Sequence, residues 1–206
     1  MISEYQQSAV NGGAPFPQPR HEVRNDQEGQ YCTLYNILRI GSVHTSLSLM
    51  EAIKPTGYSK YVHDFSLAFH LASISAAMKG WPALSRVEER TIIDGYVSQL
   101  LSGGHWEWAV YVSMCTLRPT QRSVEESWRG EQAKAIVLRY YEKETEGSQM
   151  LRRIGIHDKW FEEALAFRSF TAGNSPAYLN HMIRVSPEKA RESLERTLVP
   201  LSLIHI

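Results

Sequence analysis

The sequence predicts an all-α protein, an irregular α-solenoid of antiparallel helix pairs with roughly seven to nine helices. Three observations carry that reading. Apolar residues recur three or four apart through most of the chain, and proline and glycine break these runs at short intervals. There is no recurrent strand pattern, glycine-rich phosphate loop or low-complexity core. Because run lengths differ and no period repeats, a regular tetratricopeptide or ankyrin array is excluded, and the helices are expected to stack as antiparallel neighbours.

The elements follow in order. Residues 1–29 are expected to be a disordered extension, since Asn11-Gly12-Gly13 and Pro15, Pro17 and Pro19 disfavour regular structure and the blocks of a signal peptide are missing. The solenoid is expected over 30–201. Residues 202–206, without cap, charge or period, read as an unstructured tail or truncation remnant. Leu34, Ile37 and Leu38, then Leu47, Met50 and Ile53, suggest two short helices before Pro55.

From Tyr58 to Lys79 two stripes appear, Tyr61, Phe65, Ala68, Ala72, Ala76 and Leu67, Leu71, Ile74, Met78. Together they predict a helix buried on most sides and stopped at Gly80-Trp81-Pro82. Between Leu84 and Leu101 the doublets Ile92-Ile93, Tyr96-Val97 and Leu100-Leu101 mark an amphipathic helix with Arg86, Glu89, Arg90 and Gln99 on its wet side, closed by Gly103 and Gly104. The next segment, His105 to Leu117, also alternates as a strand would. Helix is preferred, with Trp106, Ala109, Val110, Ser113 and Leu117 on one face, because a lone strand among helices would leave its backbone unpaired.

Ala133, Ile136, Val137, Tyr140 and Tyr141 mark another helix, which Gly130 is expected to interrupt or bend, and Glu144 to Gly147 reads as a polar connection. Trp160-Phe161, Ala164-Leu165 and Phe167 mark the next, with Asp158 at its electropositive start. For the last helix Ser186 is the cap and Pro187 the first residue, ahead of Ala190, Leu194 and Leu198.

Composition narrows the function classes. The 22 acidic and 22 basic residues balance, so the chain as a whole has no field to hold nucleic acid directly or an anionic membrane. The longest uncharged apolar stretch, Phe65 to Met78, is shorter than the ~20 residues a spanning helix needs, so no membrane insertion is expected. Cys32 and Cys115 form no CxxC pair, and a reducing compartment without disulfides is the simpler reading.

No catalytic, cofactor-binding or metal residue emerges. His63 and His70, the nearest histidine pair on one predicted helix, would lie about 10.5 Å apart along its axis, too far to share an ion. The pairs Glu88-Glu89, Glu125-Glu126 and Glu162-Glu163 would diverge by about 100° on helices and read as solvated faces. There is no nucleophile elbow. Arg152-Arg153 with Lys159 beside Trp160 reads as helix-end charge. The residues of interest are instead large aromatics, with Trp106, Trp108 and Trp160 as core or interface anchors.

The run Leu100-Leu101-Ser102-Gly103-Gly104-His105-Trp106-Glu107-Trp108-Ala109-Val110-Tyr111-Val112 resembles the Nup96-type scaffold nucleoporins, the C-terminal product of a self-cleaving nucleoporin precursor. Members carry a helix ending in a small-residue turn, then a Trp-x-Trp-Ala helix. The likeness extends to Tyr58 through Leu71, to His157-Asp158-Lys159-Trp160 with Glu163-Ala164, and through Met182 to Leu201. It implies an ancestral-coatomer α-solenoid in the nuclear pore Y-complex that needs no cofactor. Its partners would be other Y-complex nucleoporins, its place the nuclear envelope, and its role the support of protein import and messenger-RNA export.

Family members also pair with a small WD-repeat propeller shared with a vesicle coat. No strand-rich segment to complete that propeller is evident here, so this partner stays open, and the chain reads as a fragment or shortened paralogue. Two rival classes stand beside the pore scaffold. One is a COPII-like vesicle-coat scaffold of the same helical ancestry. The other is a generic helical adaptor or small helical enzyme, for which a pocket gathering His63, Asp64 or His70 would speak.

Overall fold

The structure is a computed structural model that describes residues 33–41, 47–78, 81–117 and 126–197. The expected extension over 1–29 and tail over 202–206 lie outside these residues, as does Leu198. Every regular element among the described residues is helical, and there are ten α-helices rather than seven to nine. They form two compact units, the first built from residues up to Ser102 together with 115–117, the second from Gly103–Met114 and the described residues from 126 on.

In the first unit, α1 (Thr33–Ile40) packs on α2 (Leu49–Ile53), α2 on α3 (Ser66–Ala77), and α3 on α4 (Arg86–Ser102). Ser48 starts α2 by a capping box, its hydroxyl accepting from Glu51 N while Glu51 reaches back to Ser48 N. The core gathers Ile53, Ala68, Phe69, Ala72, Ile92, Ile93 and Val97, with Phe69 and Tyr96 ring centroids 5.1 Å apart.

Three expectations are corrected here. Helix α3 begins at Ser66, not Tyr58, because Pro55–Gly57 forms a 3₁₀ turn and the following loop is tied by side chains. The Tyr58 hydroxyl donates to Asp64 O and accepts from Ala68 N, while Asp64 accepts from Ser66 Oγ at 2.6 Å. That last bond, chiefly, holds the Asp64 carboxyl below its ordinary pKa. Nor is α3 buried on most sides. Ala68 and Ala72 are sealed, and such small side chains let neighbouring backbones approach, but Leu67, Ile74 and Met78 are exposed. Likewise α1 buries Thr33 and Asn36 and turns Leu34 and Leu38 outward.

The third correction concerns Glu89, expected on the wet side of α4 but only 2% exposed. Its Oε1 accepts from Leu117 N at 2.7 Å and from Thr116 Oγ1 at 3.4 Å. The Leu117 backbone N–H, which belongs to no helix, is thus satisfied by the buried Glu89 side chain, which offsets the cost of burying it. Gln99 is half-buried too, with Nε2 donating to Asp64 Oδ1 at 3.1 Å. Glu88 is half-buried and caps the start of α4, accepting from Ser85 N at 2.8 Å.

In the second unit α5 (Trp106–Met114) packs on α6 (Glu126–Tyr140) and α7 (Glu146–Arg153), α6 on α8 (Asp158–Thr171), α8 on α9 (Ser175–Val185), and α9 on α10 (Pro187–Thr197). Gly130 does not interrupt α6. The unexpected helices are α7 and α9, and both begin at a side-chain cap. A capping box of Thr145 with Ser148 starts α7, which buries one apolar side chain, Leu151. Asn174 starts α9 by accepting from Ala177 N at 3.1 Å, and only Met182 of that helix is buried.

Candidate interaction surface

Helix α5 begins after Gly104, whose φ of +78° is one that only glycine adopts without strain. At 100° per residue, its nine residues divide into two arcs. Ala109, Val110, Val112 and Ser113 are buried, and the outer arc carries Trp108, Tyr111 and Met114. The Trp-Glu-Trp-Ala run therefore alternates in role along its length.

Trp106 is half-buried and meets the Tyr141 ring edge-on at 6.3 Å. Tyr141 stands edge-on to the buried Phe161 at 4.8 Å, and the Arg152 guanidinium lies 4.6 Å from the Phe161 ring centre. Arg152 is fixed there by Asp158 at 2.7 Å and Glu144 at 3.2 Å. Glu144 also accepts from the Tyr141 hydroxyl at 3.0 Å, and burial, with that carboxylate beside it, pushes the Tyr141 pKa up. Arg152 and Arg153 do close the last turn of α7, as helix-end cations.

Glu107 turns back to α7. Its Oε1 accepts from Thr145 Oγ1 at 3.1 Å, at the electropositive start of that helix. The approach is close: a Cβ on Gly147 would lie 2.6 Å from Glu107 Cγ. Ala109 is fully buried. Trp108 is 53% exposed and meets only Tyr111 among the described rings, edge-on at 6.1 Å, so a core role for Trp108 is corrected. Trp160, in the first turn of α8, is half-buried beside His157.

Pattern reading missed the clasp of Glu107, Thr145 and Gly147, although Thr145 followed by Glu146 is a helix-start signal that was available. It also missed that α8 and α9 leave Phe167, Phe170 and Ile183 exposed. Glu88 and Glu89, like Glu162 and Glu163, take separate partners, and Glu125 lies outside the described residues. Glu163 meets Lys134 at 2.7 Å, whereas Glu162 binds His181 Nδ1 at 2.8 Å and Arg184 at 3.0 Å. Burial alone would raise the Glu162 pKa, but these two partners outweigh it and hold it low. His70 lies edge-on to Phe69 and Tyr96, and Asp64 is occupied by Ser66 and Gln99, so His63, Asp64 and His70 form no shared site. No described helix is long and apolar enough to cross a membrane.

Fold and surface together define an all-helical protein in which Trp106 and Glu107 tie α5 to its neighbours and Trp108, Tyr111 and Met114 of the same helix face outward. The chain belongs to the Nuclear protein 96 family, whose model matches residues 1–168. That span takes in the first 29 residues as well as α1 to α7. It is also similar to the fruit-fly (Drosophila melanogaster) nuclear pore complex protein Nup98-Nup96, at 24% identity over 173 residues, which is 82% of this chain and 8% of that relative. The family is a structural component of the nuclear pore complex at the nuclear envelope and is not an enzyme family.

Proposed function

We propose that the chain is a scaffold segment of the pore's Y-complex, its helix pairs stacked as an α-solenoid, and that it supports protein and messenger-RNA transport by holding neighbouring helical nucleoporins. The single observation that carries this reading is α5, a helix clamped on its inner arc that keeps Trp108, Tyr111 and Met114 at the surface. Large aromatics on a rigid support are what protein interfaces use as anchors, because little side-chain entropy is left to lose on binding. Membership of the family supplies the setting.

Affinity purification of the tagged chain from its own cells tests the proposal. Recovery of other pore scaffold subunits, reduced by Trp108→Ala, is the expected result. Recovery of vesicle-coat subunits without pore scaffold would overturn it.

A further inference from the structure

We propose that Ser186 is a phosphorylation site for a proline-directed serine kinase, and that the phosphate tightens α10 at its start. Two serines in the chain precede a proline, Ser175 and Ser186, and they stand at the starts of α9 and α10. Only the second leads to a basic residue three positions on, as Ser186-Pro187-Glu188-Lys189. Kinases of this class take the proline beside the serine and the third residue's positive charge on an acidic patch. Ser175, followed by Pro176, Ala177 and Tyr178, is therefore a built-in control.

The backbone gives Ser186 the shape that a kinase cleft receives. Between α9 and α10 it has φ −154° and ψ 101°, extended rather than helical, and Glu188 and Lys189 beyond it are exposed. The segment is also lightly anchored. Ala190, packed with Ala166 and Met182, is the one buried side chain among those described on α10, and Leu194 is 42% exposed. A helix held by so little opens at a small free-energy cost, and opening presents Ser186 to Lys189 to an enzyme.

ATP supplies the γ-phosphoryl group. A bond forms from Ser186 Oγ to phosphorus, the β–γ phosphoanhydride bond breaks, ADP leaves, and the hydroxyl proton passes to the kinase's catalytic carboxylate. What the new dianion meets is set by the start of α10. Ala190 N already donates to Ser186 O at 3.1 Å, and Pro187 has no N–H, which leaves those of Glu188 and Lys189 to be capped. The hydroxyl does this weakly, accepting from Lys189 N at 3.5 Å. Phosphate oxygens reach farther and carry the charge that a helix start favours. Arg191 and Arg196 are each held by a glutamate at 2.7 Å, whereas the Lys189 ammonium pairs with no carboxylate among the described residues. That ammonium is available to the phosphate and offsets repulsion from Glu188. The inference is independent of the scaffold reading, since none of these residues belongs to the α5 surface.

The test incubates the full 206-residue chain with a proline-directed kinase that prefers a basic third residue, and with magnesium ATP, and places the phosphate by mass spectrometry. Ser186 should be modified about tenfold faster than Ser175 or more, and Lys189→Ala should remove most of that advantage. Amide hydrogen exchange along α10 should then slow by about threefold in the phosphorylated chain, and not in kinase-treated Ser186→Ala. Equal rates at the two serines, indifference to Lys189→Ala, or faster exchange after phosphorylation would each overturn the proposal. So would a Ser186 left unmodified while a generic peptide substrate in the same tube is consumed.

Discussion

The inner and outer arcs of α5 are held in opposite ways. On the inner arc Ala109, Val110 and Ser113 are sealed completely and Trp106 leans on Tyr141, so each side chain has a fixed neighbour. Outside, Trp108, Tyr111 and Met114 spend much of their surface on water. Two tryptophans separated by one glutamate thus stand in different surroundings: Trp106 leans on its own chain, and Trp108 leaves half of its surface to water. The glutamate between them holds the helix in register by reaching Thr145.

That contrast can be broken in graded steps. Glu89→Ala comes first: it strands the Leu117 N–H just past the end of α5 in a buried place, and should cost about 2–4 kcal/mol in chemical denaturation. Trp106→Ala follows at about 2–3 kcal/mol, below the 3–5 kcal/mol of a fully buried aromatic because the ring is half-buried. Glu107→Ala should cost about 1 kcal/mol, the worth of one bond at a helix start, and free the Thr145 hydroxyl. Trp108→Ala should stay within about 0.5 kcal/mol of the parent.

A pH series sharpens the comparison from another region of the same unit. Glu162 has a folded pKa below its ordinary 4.5, so its contribution to stability is complete above that value and is lost as the pH falls below it through the folded value. Glu162→Gln should flatten that acid-side loss, by about 1 kcal/mol, while the neutral-pH fold persists. An unchanged acid profile would mean that the link from α8 to His181 and Arg184 adds nothing.

Much of this architecture was legible from spacing. The doublets of α4, the glycine turn after it and the proline start of α10 all lie where periodicity and cap chemistry place them, because each is a local property of a few residues. What spacing cannot encode is which apolar stripe finds a neighbour. Leu67, Ile74 and Met78 repeat as regularly as Ala68 and Ala72, yet only the alanines are covered.

Polar residues mislead in the opposite sense. Glu89 looks solvated by its position on α4, and only the return of the chain at Leu117, 28 residues later, reveals the partner that keeps it buried. Helix α7 escaped notice because a cap defines it and only Met150 and Leu151 are apolar, whereas α9 carries its signal in the doublets Tyr178-Leu179 and Met182-Ile183, four residues apart. The outward role of Trp108 was equally hidden, since a strand, a buried helix and an exposed anchor are all compatible with Trp-Glu-Trp-Ala.

The central claim, that Trp108 serves a partner rather than the fold, is tested most directly by measuring the denaturation midpoint of Trp108→Ala and its co-purification with pore scaffold subunits from the same cells. The account predicts a midpoint matching the parent and a marked loss of those subunits. A lowered midpoint with full subunit recovery would contradict it.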